Sequence, residues 1–212
     1  MSEIINLYTL DIYKTYLNNI DNTKLLEEIS EYGISSNSPS ISKNGIANPK
    51  NPNPTHTLYE DQLYPFGQPE AMKLLQEITK QVNFFTNSDM VIDSVWSIAI
   101  EQNESVLFHS HKVNTQLYPE EYYSVSYYVS APENSADLIF ETTHCNTIER
   151  ATSVKTETGM LLIFNSFIPH MTNRQYSKEK RVVVSANYSP RHPNQKLSAD
   201  WSDYAVPDEY KL

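Results

Sequence analysis

From residue 91 onward the chain is broken into short runs rich in β-branched and aromatic residues, at 91–101, 105–111, 122–130, 137–143, 160–165 and 181–188. Polar or proline-containing turns separate them. Such side chains fit a pleated, half-buried surface, and runs this short make strands rather than helices. Six or more strands at this density specify a mainly β fold, an antiparallel sandwich or barrel. The ninety residues before them read as helical and irregular. Helices first and strands later lack the alternation that a parallel α/β sheet needs.

Within those ninety residues, Leu25, Leu26, Ile29 and Tyr32 recur at helical spacing, with Asp21 or Asn22 as cap and Gly33 as stop. A second helix opens near Pro69, where Ala71, Leu74, Leu75, Ile78 and Val82 form one apolar stripe. Between the two, residues 34–57 are rich in Ser, Asn and Pro, including Asn48-Pro49-Lys50-Asn51-Pro52-Asn53-Pro54. This stretch is expected to hold neither a helix nor a central strand, and reads as a surface loop or as a lid over a site. Residues 190–212 are polar, carry Trp201, Tyr204 and Tyr210, and are expected to pack loosely across the body. Residues 1–212 are therefore expected to form one domain: a helical and irregular part (1–90), a β core (91–189) and a tail (190–212).

Composition narrows the function classes. The 26 acidic residues outnumber the 16 Lys and Arg, for a net charge of −10. That surface repels phosphate backbones on average, which disfavours nucleic-acid and anionic-membrane partners and favours a small molecule or peptide. The four glycines are far apart, so neither common Gly-rich phosphate loop can be written. A single cysteine, Cys145, excludes an internal disulfide and suits a reducing compartment. No apolar run reaches the ~18 residues of a membrane span, and Met1-Ser2-Glu3 does not open a signal peptide. The expected location is cytoplasmic; oligomeric state is not encoded.

Two of the six histidines lie in Phe108-His109-Ser110-His111, at the end of an apolar run. On a strand, positions 109 and 111 point to one face and can chelate one ion. His170 follows a second run, and from a facing sheet could complete a set of three with open positions for other ligands. The alternative is chance spacing of ordinary hydrogen-bonding histidines. Eleven residues later Arg181 opens Arg181-Val182-Val183-Val184-Ser185-Ala186-Asn187-Tyr188. Alternation puts Arg181, Val183, Ser185 and Asn187 on one face. An inward arginine is costly unless it meets an anion. A carboxylate held by its fork and the Ser185 hydroxyl would satisfy it; so would an internal salt bridge, or an edge position facing water.

Residues 91–189 resemble the iron(II)/2-oxoglutarate-dependent oxygenases, especially the prolyl-hydroxylase-like members and the short bacterial and phage oxygenases. The resemblance is carried by His109-Ser110-His111, Ser126-Tyr127-Tyr128-Val129, Gly159-Met160-Leu161-Leu162-Ile163-Phe164, His170, and Arg181 with Ser185, with Trp96 and the Pro132-Glu133-Asn134-Ser135 turn in keeping. It covers roughly half the chain, and its specificity lies in the combination. It implies a double-stranded β-helix, a cupin-like jelly-roll, with the N-terminal helices packed on one sheet. It also implies iron(II) held by His109, His111 and His170, and 2-oxoglutarate as cosubstrate. Arg181 would then bind its distal carboxylate, with Ser185 and Tyr128 as hydrogen-bond partners. The implied activity is oxidative decarboxylation of 2-oxoglutarate to succinate, coupled to hydroxylation of a substrate.

The chain departs from that family twice. His111 stands where the family has an aspartate, giving three imidazoles, and it is read here as a ligand because imidazole binds iron well. The stretch 112–123 is longer than the corresponding turn, and its Tyr118, Tyr122 and Tyr123 are expected to line or cover the pocket. Asn114 and Glu120 are weaker candidates for a fourth ligand, and His144 and Cys145 fall in an expected loop. Two other readings stand beside the oxygenase: a three-histidine cupin-type dioxygenase that does not use 2-oxoglutarate, and a metal-free jelly-roll serving as a binding or structural module.

Overall fold

The computed structural model describes residues 11–32, 41–43, 46–47, 68–111, 122–144 and 148–191. These form two helices and eleven strands in three sheets, every pairing antiparallel. The main sheet has the order β1 (Ile12–Tyr16), β9 (Met160–Asn165), β6 (Tyr123–Ser130), β11 (Arg181–Pro190), β4 (Met90–Ile100). A second runs β10 (His170–Thr172), β7 (Leu138–His144), β8 (Ile148–Val154). The third is a small ribbon of β3 (Ile46–Ala47), β2 (Ile41–Lys43) and β5 (Glu104–Val106).

The alternation of each main-sheet strand divides its residues between two cores. One face carries Val95, Val125, Tyr127, Leu161, Ile163, Val184, Ala186 and Tyr188 against Leu25 of helix α1 (Asn22–Tyr32) and the expected stripe of α2 (Pro69–Thr86). Leu74, Ile78 and Val82 of that stripe have no solvent-accessible surface; each contributes roughly 1.5–3 kcal/mol of burial. The opposite face carries Tyr128, Leu162, Phe164 and Val183 against Leu138 and Phe140 of the second sheet. The helices thus seal one side of the main sheet, and its other side faces the second sheet.

Local chemistry fixes the helices. The Asp21 carbonyl accepts the first helical bond of α1, and its carboxylate accepts from the N–H groups of Thr23 and Lys24, both at 3.1 Å. Helix α2 opens at Pro69 with no cap from its own Gln68 side chain. The buried carboxylate of Glu28, on α1, instead accepts from the N–H groups of Glu70 (3.1 Å) and Ala71 (2.9 Å). One helix therefore supplies the other's cap. Asn87 ends α2 in the left-handed region at φ 50°.

Several expectations change. The first ninety residues also contain a strand: β1 precedes both helices and pairs with β9, Ile12 opposite Phe164. Inside 34–57, Ile41–Lys43 is the middle strand of the small ribbon, between β3 and β5, because it lies upstream of the proline cluster that would break a ladder. The remainder of that stretch, residues 112–121, Cys145, Gly33 and the tail from 192 lie outside the described residues. The expected strand 105–111 stops at Val106. Strands β8 and β10 have no counterpart in the sequence reading. No described helix is long and apolar enough to cross a membrane.

Candidate metal centre

The rings of His109, His111 and His170 converge, each offering a nitrogen within 4.8 Å of the others. They do so without the continuous strand expected for 105–111. His109 and His170 instead exchange backbone hydrogen bonds as an isolated bridge, His109 N–H to His170 O at 3.0 Å and the reverse at 2.8 Å. The His111 N–H donates to the Ser166 carbonyl at 3.0 Å. The two-residue spacing brings both rings to one place because these bonds fix the backbone on either side.

The second nitrogen of each ring decides which one is free. His109 Nδ1 donates to the Leu107 carbonyl at 2.7 Å, and His170 Nδ1 to the Ile168 carbonyl at 2.9 Å. Carbonyls only accept, so both rings carry their proton on Nδ1 and present the Nε2 lone pair. His111 Nδ1 lies 2.7 Å from Asn187 Oδ1 and 2.8 Å from Ser124 Oγ. Burial lowers the pKa of all three. His111 falls to about 4, mainly by burial and then by the neighbouring His109, with the Asn187 bond opposing. His170 is held well below the usual 6.5 by burial and by the other two rings. His109 is lowered by burial, against its bond to Leu107. Three neutral imidazoles with convergent lone pairs can hold a divalent transition metal.

Apolar and aromatic groups surround the cluster. Phe164 lies 5.0 Å from the His170 ring and Phe140 6.1 Å, while Trp96 meets His111 edge-on at 5.3 Å. Trp96 pairs across β4 and β11 with Ser185.

Arg181 lies on β11, flanked by β6 and β4, and is 3% exposed. The edge-strand alternative for this arginine is therefore excluded. Its guanidinium sits over the ring of Tyr128, 4.9 Å from the centroid. Arg181 Nε and the Tyr128 hydroxyl are buried without hydrogen-bond partners, and no ion pair reaches Arg181 among the described residues. Burial raises the Tyr128 pKa, with the Arg181 charge opposing, so the phenol stays protonated and able to donate. Each unpaired buried polar group costs about 1–3 kcal/mol. Together they are able to hold an anion. Ser185 is buried on the same face, opposite Ser126 and Trp96.

Of the other candidates, Tyr123 faces away from the cluster and packs on Phe85 of α2, ring centroids 5.8 Å apart. This follows from parity, since Ser124 and Tyr128 take the site face of β6. Tyr118, Asn114 and Glu120 lie outside the described residues. His144 ends β7 rather than lying in a loop. The turn at 132–135 is present, with Ser135 N–H donating to the Pro132 carbonyl. Sequence reasoning assigned no role to Asn187, Ser124, Ser94 or Ser166. Asn187 shares the parity of Arg181, and a polar residue at an inward position was the available signal.

No protein-family model and no curated protein matches the chain. Among solved structures it is similar to AviO1 from Streptomyces viridochromogenes Tue57, at 15% identity and a TM-score of 0.54, covering 84% of this chain and 83% of that one. It is similar to EvdMO1 at the same identity and TM-score, covering 80% of this chain and 42% of that one. A weaker likeness, 11% identity and a TM-score of 0.49, is to the non-haem alpha-ketoglutarate-dependent carbocyclase SnoK from nogalamycin biosynthesis, covering 57% of this chain and 60% of that one. The chain thus spans less than two-thirds of the length of SnoK and of EvdMO1. What the likenesses to AviO1 and EvdMO1 establish is the fold, which the chain shares with AviO1 over most of both lengths.

Proposed function

We propose that the chain is an iron(II)- and 2-oxoglutarate-dependent dioxygenase of the jelly-roll class, hydroxylating a small molecule or peptide. One observation carries this reading: three neutral imidazoles converge where Phe140 and Phe164 border them, and those phenylalanines share a core with Tyr128, whose ring underlies an unpaired buried arginine. The donor set suits iron(II), and the Arg181–Tyr128 pair suits the distal carboxylate of the keto acid. Bound there, iron and 2-oxoglutarate would supply the oxidative decarboxylation to succinate that drives hydroxylation of a carbon.

The chain's own residues have separable tasks. His109, His111 and His170 would hold the metal through Nε2. Arg181 would neutralise and orient the carboxylate through its planar fork, while the Tyr128 and Ser185 hydroxyls donate to the remaining lone pairs. Phe140, Phe164, Leu162 and Val183 keep water from that side. The excess of acidic residues favours a small or peptide substrate over nucleic acid.

A second reading has one observation in its favour: among the described residues, the donor set contains no carboxylate. On it, the protein is a three-histidine dioxygenase, with Arg181 holding the substrate's own carboxylate. Succinate release with added iron(II) separates the two. Formation that requires 2-oxoglutarate and is lost in both Arg181→Leu and His109→Ala supports the proposal. Full turnover by Arg181→Leu would defeat the cosubstrate assignment, and unchanged iron content in His109→Ala the metal assignment.

A further inference from the structure

The three histidines are not held alike. The rings of His109 and His170 each donate to a backbone carbonyl two residues earlier, whereas the His111 ring is held, among the described residues, by side chains. The group behind it is a small, partly buried network. Asn187 Oδ1 lies 2.7 Å from His111 Nδ1 and 2.8 Å from Ser124 Oγ. Ser124 Oγ also contacts Ser166 Oγ at 2.8 Å, and Asn187 Nδ2 donates to Ser94 Oγ at 3.0 Å. Ser124 and Ser166 are both buried.

The backbone is shaped to assemble this network. The ladder of β11 and β4 shifts register between Asn187, opposite Ser94, and Tyr188, opposite Ile92. On the other side Asn187 pairs with Ser124. The irregularity beside Asn187 is of the kind that re-aims a side chain.

We infer that Asn187 is the positioning residue for His111, its amide oxygen fixing the imidazole proton on Nδ1 and the lone pair on Nε2 toward the metal. This rests on the reading of the three histidines as a metal centre. An amide is two-faced. With Oδ1 toward the ring, His111 must donate from Nδ1 and Nε2 is free to ligate. With Nδ2 toward the ring, Nδ1 would accept, Nε2 would carry the proton, and the third ligand would be lost. In the first orientation Ser94 accepts from Nδ2 and Ser124 donates to Oδ1, so both ends of the amide are used. Both acceptors behind His111 are neutral, so the ring donates from Nδ1 without the added basicity that a carboxylate partner would lend it.

The test is cobalt(II) binding by the full chain, followed by absorption and by proton NMR of the hyperfine-shifted, exchangeable imidazole N–H signals. Wild type should bind one equivalent and show three such signals, one per Nε2-bound histidine. Asn187→Leu should bind cobalt(II) roughly 10–100-fold more weakly and lose one signal to fast exchange with water. Asn187→Asp keeps an oxygen acceptor in the same shape and should retain near-wild-type affinity and all three signals. Ser94→Ala, the milder change if the leucine variant does not fold, should speed exchange of one signal selectively. Three slow signals in Asn187→Leu, equal weakening in Asn187→Leu and Asn187→Asp, or unaltered exchange in Ser94→Ala would each overturn the inference. Wild type binding no cobalt(II) would instead overturn the metal centre itself.

Discussion

Acid should unfold the metal-free protein in a way that can be traced to one imidazole. In the folded state His111 titrates near 4, against 6.5 for an unburied histidine. Between those values the unfolded chain binds a proton that the folded chain refuses, so stability falls as pH falls. It is fully present above 6.5, declines through the window and levels off below about 4. Each pH unit in the window is worth about 1.4 kcal/mol, so lowering the pH from 7.5 to 4.5 removes roughly 3 kcal/mol through His111 alone. His109 and His170 act in the same direction. Carboxylates elsewhere also titrate, so the informative quantity is a difference. Urea unfolding at the two pH values should show wild type losing about 3 kcal/mol more than His111→Gln, which has no proton to gain. Equal losses would refute a partly buried, neutral His111. A divalent metal at pH 7.5 should raise wild-type stability and leave His111→Gln much less affected.

Other expected outcomes follow from the same packing. Glu28→Ala uncaps α2 by stranding the N–H groups of Glu70 and Ala71, and should cost about 1–3 kcal/mol in thermal or urea unfolding. Arg181→Met removes a buried charge with no ion-pair partner among the described residues. It should leave stability unchanged or higher while abolishing 2-oxoglutarate binding by calorimetry; a loss of several kcal/mol would reveal an internal anion. With metal at a hundredfold excess over its dissociation constant, chelation should remove roughly 2.7 kcal/mol of stability, and His170→Ala should show no such dependence.

Strands β6, β9 and β11 were legible within a residue or two, because each is an apolar run long enough to span the core. The stripe of α2 was legible for the same reason. Alternation along β11 also separated Arg181, Val183, Ser185 and Asn187 from the helix-facing Val184, Ala186 and Tyr188. What escaped lacks a local signal. Strand β10 is three residues long and held by its pairing with β7. Strand β8, Ile-Glu-Arg-Ala-Thr-Ser-Val, is a polar edge of its sheet, and β1 is an edge strand whose Lys14 is exposed. The convergence of His109 and His111 was foreseen through a strand that is not there. The bridge to His170 and the bond to Ser166 do that work, and both depend on residues more than fifty positions away. The partners of Asn187 stayed hidden because parity says which face a side chain takes and not what it meets there.

The pairing of β1 with β9 has a consequence for how the molecule is made. Ile12 cannot meet Phe164 until roughly 150 further residues have been synthesised, a wait of about 10–30 s at ordinary elongation rates. Strand β1, made before every other described strand, is thus among the last of them that can dock, and until then its hydrogen-bonding edge belongs to the nascent chain's surroundings.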